Sequence, residues 1–210
     1  QKAKNDSRFT TKQVEITDEK PEYLLNDMSI SGFRVNDTIN GIKVNLLCPV
    51  VKSKTAGFST KLIYEISNSY FKNFVADAKE KGKNDSVFHQ LNIRTVFVNS
   101  KAGLISCLME ENAKFVGEEN CKSYFGVTYK KTNDKALSFA EVFPIDEANF
   151  DEFKLLFSPK AEALSKKDFD ESQFAIGKDS LYVFVGGKES SQTKFSAPIQ
   201  SIEGFIINGK

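Results

Sequence analysis

The spacing of apolar and polar positions divides the chain into a strand-like opening, one long helical stripe and a strand-rich remainder. Val14 and Ile16 alternate with polar neighbours, which predicts an edge strand. Residues 21–40 contain NDM, SG and NDTING and predict turns with short extended pieces between them. Ile42, Val44 and Leu46 then share a strand face. Pro49, having no N–H to donate, is expected to end regular pairing or to sit at an edge. From Ser59 to about Lys81 the period lengthens. Leu62, Ile63, Ile66, Tyr70, Phe74, Val75 and Ala78 recur at three and four residues, the pattern of an amphipathic helix. Ser59 is its expected N-cap and Gly82 its stop, and Lys79 and Lys81 place cations where the helix dipole favours them.

Three alternating runs follow. Val87, Leu91, Ile93 and Phe97 share a face in the first; Ile105, Cys107, Met109, Ala113 and Phe115 in the second; Phe125, Val127 and Tyr129 in the third. The polar stretches NSKAG, GEEN (117–120) and TNDK turn the chain, so the runs predict an antiparallel meander with the helix on one face. Residues 136–157 predict a shorter second helix, with Phe150, Phe153, Leu156 and Phe157 on its face and Asp146 as cap. A hairpin around Gly177–Asp179 and a last extended piece, TKFSAPI, complete the chain. The fold class read from this pattern is α+β: an antiparallel β-meander covered by one long amphipathic helix, with a shorter second helix. No repeat or linker divides residues 14–207, which are expected to form one domain. Its N-terminal strands and long helix span 14–84, and its strand-rich part spans 85–207. Residues 1–13 read as a polar tether with Phe9 as their one large apolar residue.

Composition changes this picture at a few points. Nineteen Phe and no Trp make Phe the main filler of the core. The net charge is +1 and Arg occurs only at 8, 34 and 94, so neither a global field nor a set of guanidinium forks points to nucleic acid. No run approaches the ~18 apolar residues of a membrane-spanning helix. Cys48, Cys107 and Cys121 lack zinc-site spacing and form no CxxC, so no metal is expected. Cys48 and Cys107 lie in apolar runs, whereas Cys121 lies in polar sequence and is expected at the surface. Which of the three pair, if any, stays open.

The search for catalytic chemistry returns little. His89, the one histidine, alternates with Val87, Leu91 and Ile93 and reads as a packed strand residue. No GxSxG elbow accompanies it. Glu110 and Glu111 point to opposite strand faces and cannot converge. Glu118–Glu119 occupy a turn, and Asp151–Glu152 and Asp170–Glu171 read as solvated surface. Gly186–Gly187 precede a lysine but match neither GxxxxGK[ST] nor GxGxxG. Formal glycosylation sequons start at Asn5, Asn36 and Asn84. No catalytic residue, metal site or cofactor is therefore assigned.

The order of these elements resembles the RsiV-like family of bacterial extracytoplasmic domains of unknown function, the 3298/4163 pair. The carrying segments are VNLLCPVV (44–51), LIYEISNSYFKNF (62–74), GLISCLMEENAKFVG (103–117), KALSFAEVF (135–143) and FAIGKDSLYVFV (174–185). Ser138, Phe139, Glu141 and Phe143 loosely match the family pattern k-x-L-x-L-x-D-L-F. The family's Gly-Gly-Ala-His turn is replaced here by Val116-Gly117-Glu118-Glu119-Asn120, so a role for its histidine does not carry over. The resemblance implies a domain outside the cytoplasm. In the family it occurs as the lysozyme-sensing part of an anti-sigma factor, ahead of peptidoglycan deacetylase domains, or alone in lipoproteins.

The expectation is a non-catalytic cell-envelope binding or sensing domain of the stand-alone, lipid-anchored form, with lysozyme or a peptidoglycan fragment as partner and no nucleic acid. Two alternatives stay open: a cell-wall glycan-acting enzyme using dispersed carboxylates, and a purely structural lipoprotein. The candidate partner site is the turn of Gly117, Glu118, Glu119 and Asn120, which is locally acidic in a nearly neutral chain and corresponds to the family's glycine turn.

Overall fold

A computed structural model describes residues 28–39, 42–53, 60–81, 89–130, 132, 135–186 and 192–206. The tether 1–13, the strand at Val14 and Ile16, the helix cap Ser59 and stop Gly82, the face residue Val87, Gly187 and the sequons at Asn5 and Asn84 lie outside these residues. Among the described residues the chain is α+β, with a five-stranded sheet, a three-stranded sheet and several helices.

The larger sheet has the strand order β1 (Met28–Ile39), β2 (Ile42–Ser53), β3 (His89–Lys101), β4 (Leu104–Lys114) and β5 (Cys121–Lys130). Strands β3, β4 and β5 are the antiparallel meander that the alternating runs predict. Two features depart from the expectation. Residues 28–39 form one continuous strand, paired antiparallel with β2 from Met28↔Ser53 to Ile39↔Ile42. Their Asn, Asp, Ser and Gly residues favour turns locally, but a partner strand that takes up the backbone hydrogen bonds overrides that preference. The sheet is also mixed rather than antiparallel throughout, because β2 pairs parallel with β3 over Ile42↔His89 to Leu47↔Arg94. Parallel neighbours need a crossover of a dozen or more residues, and helix α1 (Thr60–Glu80) lies in that connection. Pro49 falls beyond the parallel register, where β2 pairs with β1 alone, so its missing N–H interrupts no bond to β3.

One face of the sheet shares a buried apolar cluster with α1. Tyr70, Phe74 and Ala78 of the helix pack with Leu91, Ile93 and Val98 of β3, with Ile105, Cys107, Met109 and Ala113 of β4, and with Phe125, Val127 and Tyr129 of β5. Phe97 is not among them. The register of β3 on β4 slips between Thr95 and Phe97, a bulge that reverses the alternation, so Val98 takes the helix side and Phe97 packs on the opposite face near Leu108, Ala175 and Phe184.

That opposite face receives the second sheet, β6 (Gln173–Ile176), β7 (Ser180–Val185) and β8 (Thr193–Pro198), paired in that order. Polar atoms fix the junction. Ser106 Oγ lies 2.7 Å from Thr128 Oγ1 and accepts from Ile176 N at 2.8 Å, while Asn99 Nδ2 donates to the carbonyls of Ile176 and Gly177. Gly126 of β5 lies so close to β6 that a Cβ there would stand 1.8 Å from the Phe174 carbonyl oxygen.

The shorter second helix expected over 136–157 is two pieces, α2 (Phe139–Val142) and α3 (Glu147–Lys154). Pro144 separates them, since a proline disfavours helical backbone at the residue before it. Ser138 and Glu141 form a capping box on α2, and Asp146 caps α3 by accepting from Asn149 N at 2.9 Å. A 3₁₀ turn (Pro159–Ala163), α4 (Lys166–Asp170) and α5 (Ile199–Ile202) complete this side. Phe is the commonest residue of its core, in edge-to-face pairs such as Phe139–Phe174 at 5.4 Å and Phe150–Phe169 at 5.5 Å.

Candidate functional site

The candidate turn joins β4 to β5. Gly117 has φ +82°, a left-handed conformation that strains any residue with a Cβ, and nothing surrounds the position where one would be. Glu118, Glu119 and Asn120 are exposed. Glu118 is nonetheless engaged, with Lys81, just past the end of α1, placing its Nζ 2.6 Å from Glu118 Oε2. The same ammonium lies 4.3 Å from the centre of the Phe115 ring. Phe115 in turn stacks on Phe74 at 4.8 Å and meets His89 edge-on at 5.7 Å. His89 is buried, and its Nδ1 accepts a 3.1 Å bond from Val116 N, so the imidazole pins the backbone just before the turn.

These contacts enclose a cleft of about 510 Å³ between the C-terminal half of α1, the end of β4 and the start of β5. Glu118, Glu119 and Asn120 line it, while Gly117 shapes the turn from outside the lining. The structure adds residues that sequence reasoning did not gather. Asn73 and Asp77 come from α1 and Lys81 from just beyond its end; Glu111 and Ala113 from β4; Cys121, Lys122 and Ser123 from β5. Cys121, expected at the surface, is half-buried here. One signal was available in the alternation: Glu111 shares its strand face with Ile105, Cys107, Met109 and Ala113, an unusual position for a carboxylate.

The two adjacent glutamates of β4 do point to opposite faces. Glu111 is buried on the α1 side and accepts a 2.9 Å bond from Ser123 Oγ. Burial pushes the nearby Tyr70 hydroxyl up to about 12, with the Glu111 charge adding to the shift and the bond to Gln173 opposing it. Glu110, buried on the other face, accepts from Arg94 Nε at 2.8 Å and Asn112 Nδ2 at 2.9 Å and pairs with Lys122 Nζ at 2.6 Å. The Arg94 bond above all holds its carboxyl down at about 2, against the opposing effect of burial. Asp151–Glu152 lie on α3 and Asp170–Glu171 at the end of α4, where Asp151 pairs with Lys154 and Asp170 with Lys166. Among the described residues no group of three His, Cys, Asp or Glu is arranged to hold a metal ion. Among the same residues no helix is long and apolar enough to cross a membrane.

No known family profile matches the sequence, and no curated protein does. Solved structures do resemble it. One is a member of the DUF3298 family from Bacteroides fragilis, 12% identical, covering 85% of this chain and 93% of that one with a TM-score of 0.49. Another is a DUF3298 family protein from Pseudomonas aeruginosa, 11% identical, covering 85% of this chain and 94% of that one with a TM-score of 0.48. Neither likeness says what this chain binds.

Proposed function

We propose that this protein is a non-catalytic binding domain of the cell envelope, and that it holds its partner in the cleft between α1 and the β4–β5 turn. In this reading α1 covers one face of the sheet and serves as one wall of the site. The observation that carries the proposal is the gathering of Glu118, Glu119 and Asn120 into one concave site with Asp77, Glu111 and the aromatic floor of Phe74 and Phe115. A concave surface with an apolar floor and a few converging polar groups is where ligands are usually held. Placement outside the cytoplasm, behind a lipid anchor, rests on the resemblance of residues 44–51, 62–74 and 103–117 to the extracytoplasmic family. Lysozyme and peptidoglycan fragments are accordingly the partners to try first.

Calorimetric titration with lysozyme and with soluble muropeptides tests the proposal. One of them is expected to bind, with an affinity that Glu118→Lys combined with Glu119→Lys reduces at least tenfold at low salt. For a basic partner the attraction fades as added salt shortens the Debye length below ~8–10 Å. No heat with either component, or binding that the double variant leaves unchanged, overturns it.

A further inference from the structure

The cleft is chemically one-sided. Four carboxylates line it, those of Asp77, Glu111, Glu118 and Glu119, against the ammonium groups of Lys81 and Lys122. Lys122 directs its Nζ to Glu110 on the opposite face of the sheet, at 2.6 Å. Lys81 is the cation that meets the acidic rim, and its position is informative. Its Nζ lies within hydrogen-bond reach of both Glu118 oxygens and 4.3 Å above the face of Phe115. A carboxylate beside an aromatic face is how proteins commonly recognise an alkylammonium, because the charge–charge and cation–π attractions act on one nitrogen together.

Lys81 holds this position weakly. It follows the last residue of α1, and both partners of the ion pair are more than a third exposed. Exposed ion pairs and exposed cation–π contacts are each worth little, so displacing Lys81 costs little. With Lys81 in place the cleft still leaves about 510 Å³ open, and the apolar floor of Phe74, Ala113 and Phe115 adjoins Glu111 within it. That floor suits the methylene chain of an alkylammonium whose charged end replaces Lys81.

We propose that the cleft is a site for a primary alkylammonium group, either a free amine or a lysine side chain on a peptide, and that Lys81 occupies it until such a ligand displaces it. The inference rests on reading this cleft as the binding face and adds the chemistry that it selects.

The test uses the full chain at low salt, titrated by NMR with 1,5-diaminopentane, with Nα-acetyl-lysine amide and with 1,5-pentanediol as the uncharged control. Both amines, or one of them, are expected to bind with millimolar affinity, shifting amides at 77–81 and 115–123, while the diol does not. A preference for the lysine amide marks a peptide source, and a preference for the diamine a free amine. Lys81→Met removes the internal competitor and is expected to tighten amine binding ~3–10-fold. Glu118→Gln is expected to weaken it by a similar factor. Both variants are exposed-site changes, and thermal melts confirm that they fold. Absence of amine binding, equal binding of the diol, or unchanged affinity in Lys81→Met overturns the proposal. If amines fail to bind while the Glu118/Glu119 double variant still loses its envelope partner, the alkylammonium site is wrong and the binding reading stands.

Discussion

Replacing Gly126 with alanine puts a methyl group where the structure has the backbone of another strand. An ideal Cβ at this position would stand 1.8 Å from the Phe174 carbonyl oxygen and 2.3 Å from its carbonyl carbon. Cβ atoms do not approach heavy atoms closer than 3.0 Å, so β5 and β6 would have to separate by about 1.2 Å or more. The obstacle is main chain, and β6 is held on both sides. It pairs with β7, and Ile176 and Gly177 are bonded to Ser106 and Asn99 of the larger sheet. No side-chain rotation relieves the clash. Overpacking a well-filled core costs typically 1–3 kcal/mol. A backbone obstacle on two anchored strands puts Gly126→Ala at or above the top of that range, about 3 kcal/mol or more. At roughly 2–4 °C per kcal/mol for a chain of this size, the melting temperature should fall by about 6–12 °C. Urea unfolding followed by far-UV circular dichroism measures the loss. Gly117→Ala is the control, because its cost is conformational alone, about 1 kcal/mol, with open space around the new methyl. A Gly126→Ala protein within 1 kcal/mol of the wild type, or no worse than Gly117→Ala, would show that the two sheets are not packed as described.

Phe74→Ala removes a ring that is both buried core and cleft floor, so urea unfolding should show a loss of about 3–5 kcal/mol together with weaker ligand binding. His89→Gln replaces the ring with an amide whose Oε1 keeps an acceptor for the Val116 N–H, so it should cost about 1 kcal/mol or less in thermal melts and leave envelope-partner binding unchanged by calorimetry. Glu110→Gln tests an electrostatic contribution with a defined sign. The folded carboxyl titrates at about 2 against 4.5 unfolded, so its stabilisation is complete above pH 4.5 and is lost as pH falls toward 2. Because Arg94 and Lys122 are about half exposed, roughly 1–2 kcal/mol is expected to disappear from the difference between wild-type and Glu110→Gln stability curves over that window, and a flat difference would contradict the assignment.

Periodicity made α1 and the meander legible, because a 3.6-residue stripe and a two-residue alternation are local signals that tertiary packing preserved. Ile105, Cys107, Met109, Phe125, Val127 and Tyr129 lie on the face that alternation gave them. Phe97 does not, since a bulge is set by pairing with β4 and leaves no mark in the alternation of β3 itself. Residues 28–39 hid as a strand for a related reason: their turn-forming side chains are read locally, while their hydrogen bonds come from β2. Of the cleft's lining, the turn residues Glu118, Glu119 and Asn120 were the ones singled out from the sequence. The cleft exists because the end of α1, with Asp77, and Lys81 just beyond it meet the β4–β5 turn, where Lys81 and Glu118 are 37 positions apart in sequence. Glu111 was visible as a carboxylate on an apolar face, but its meaning needed the helix beside it.

If the cleft, rather than the turn's surface alone, receives the partner, then blocking the cleft abolishes binding. Asn73→Trp is the variant to make, because this exposed α1 residue lines the cleft and a bulky ring there narrows it without altering any charge. The measurement is calorimetric titration of wild type and Asn73→Trp with whichever envelope component binds the unaltered protein, after thermal melts show equal stability. At least a tenfold loss of affinity is expected. Equal affinity in the blocked protein would contradict it and move the binding surface elsewhere on the molecule.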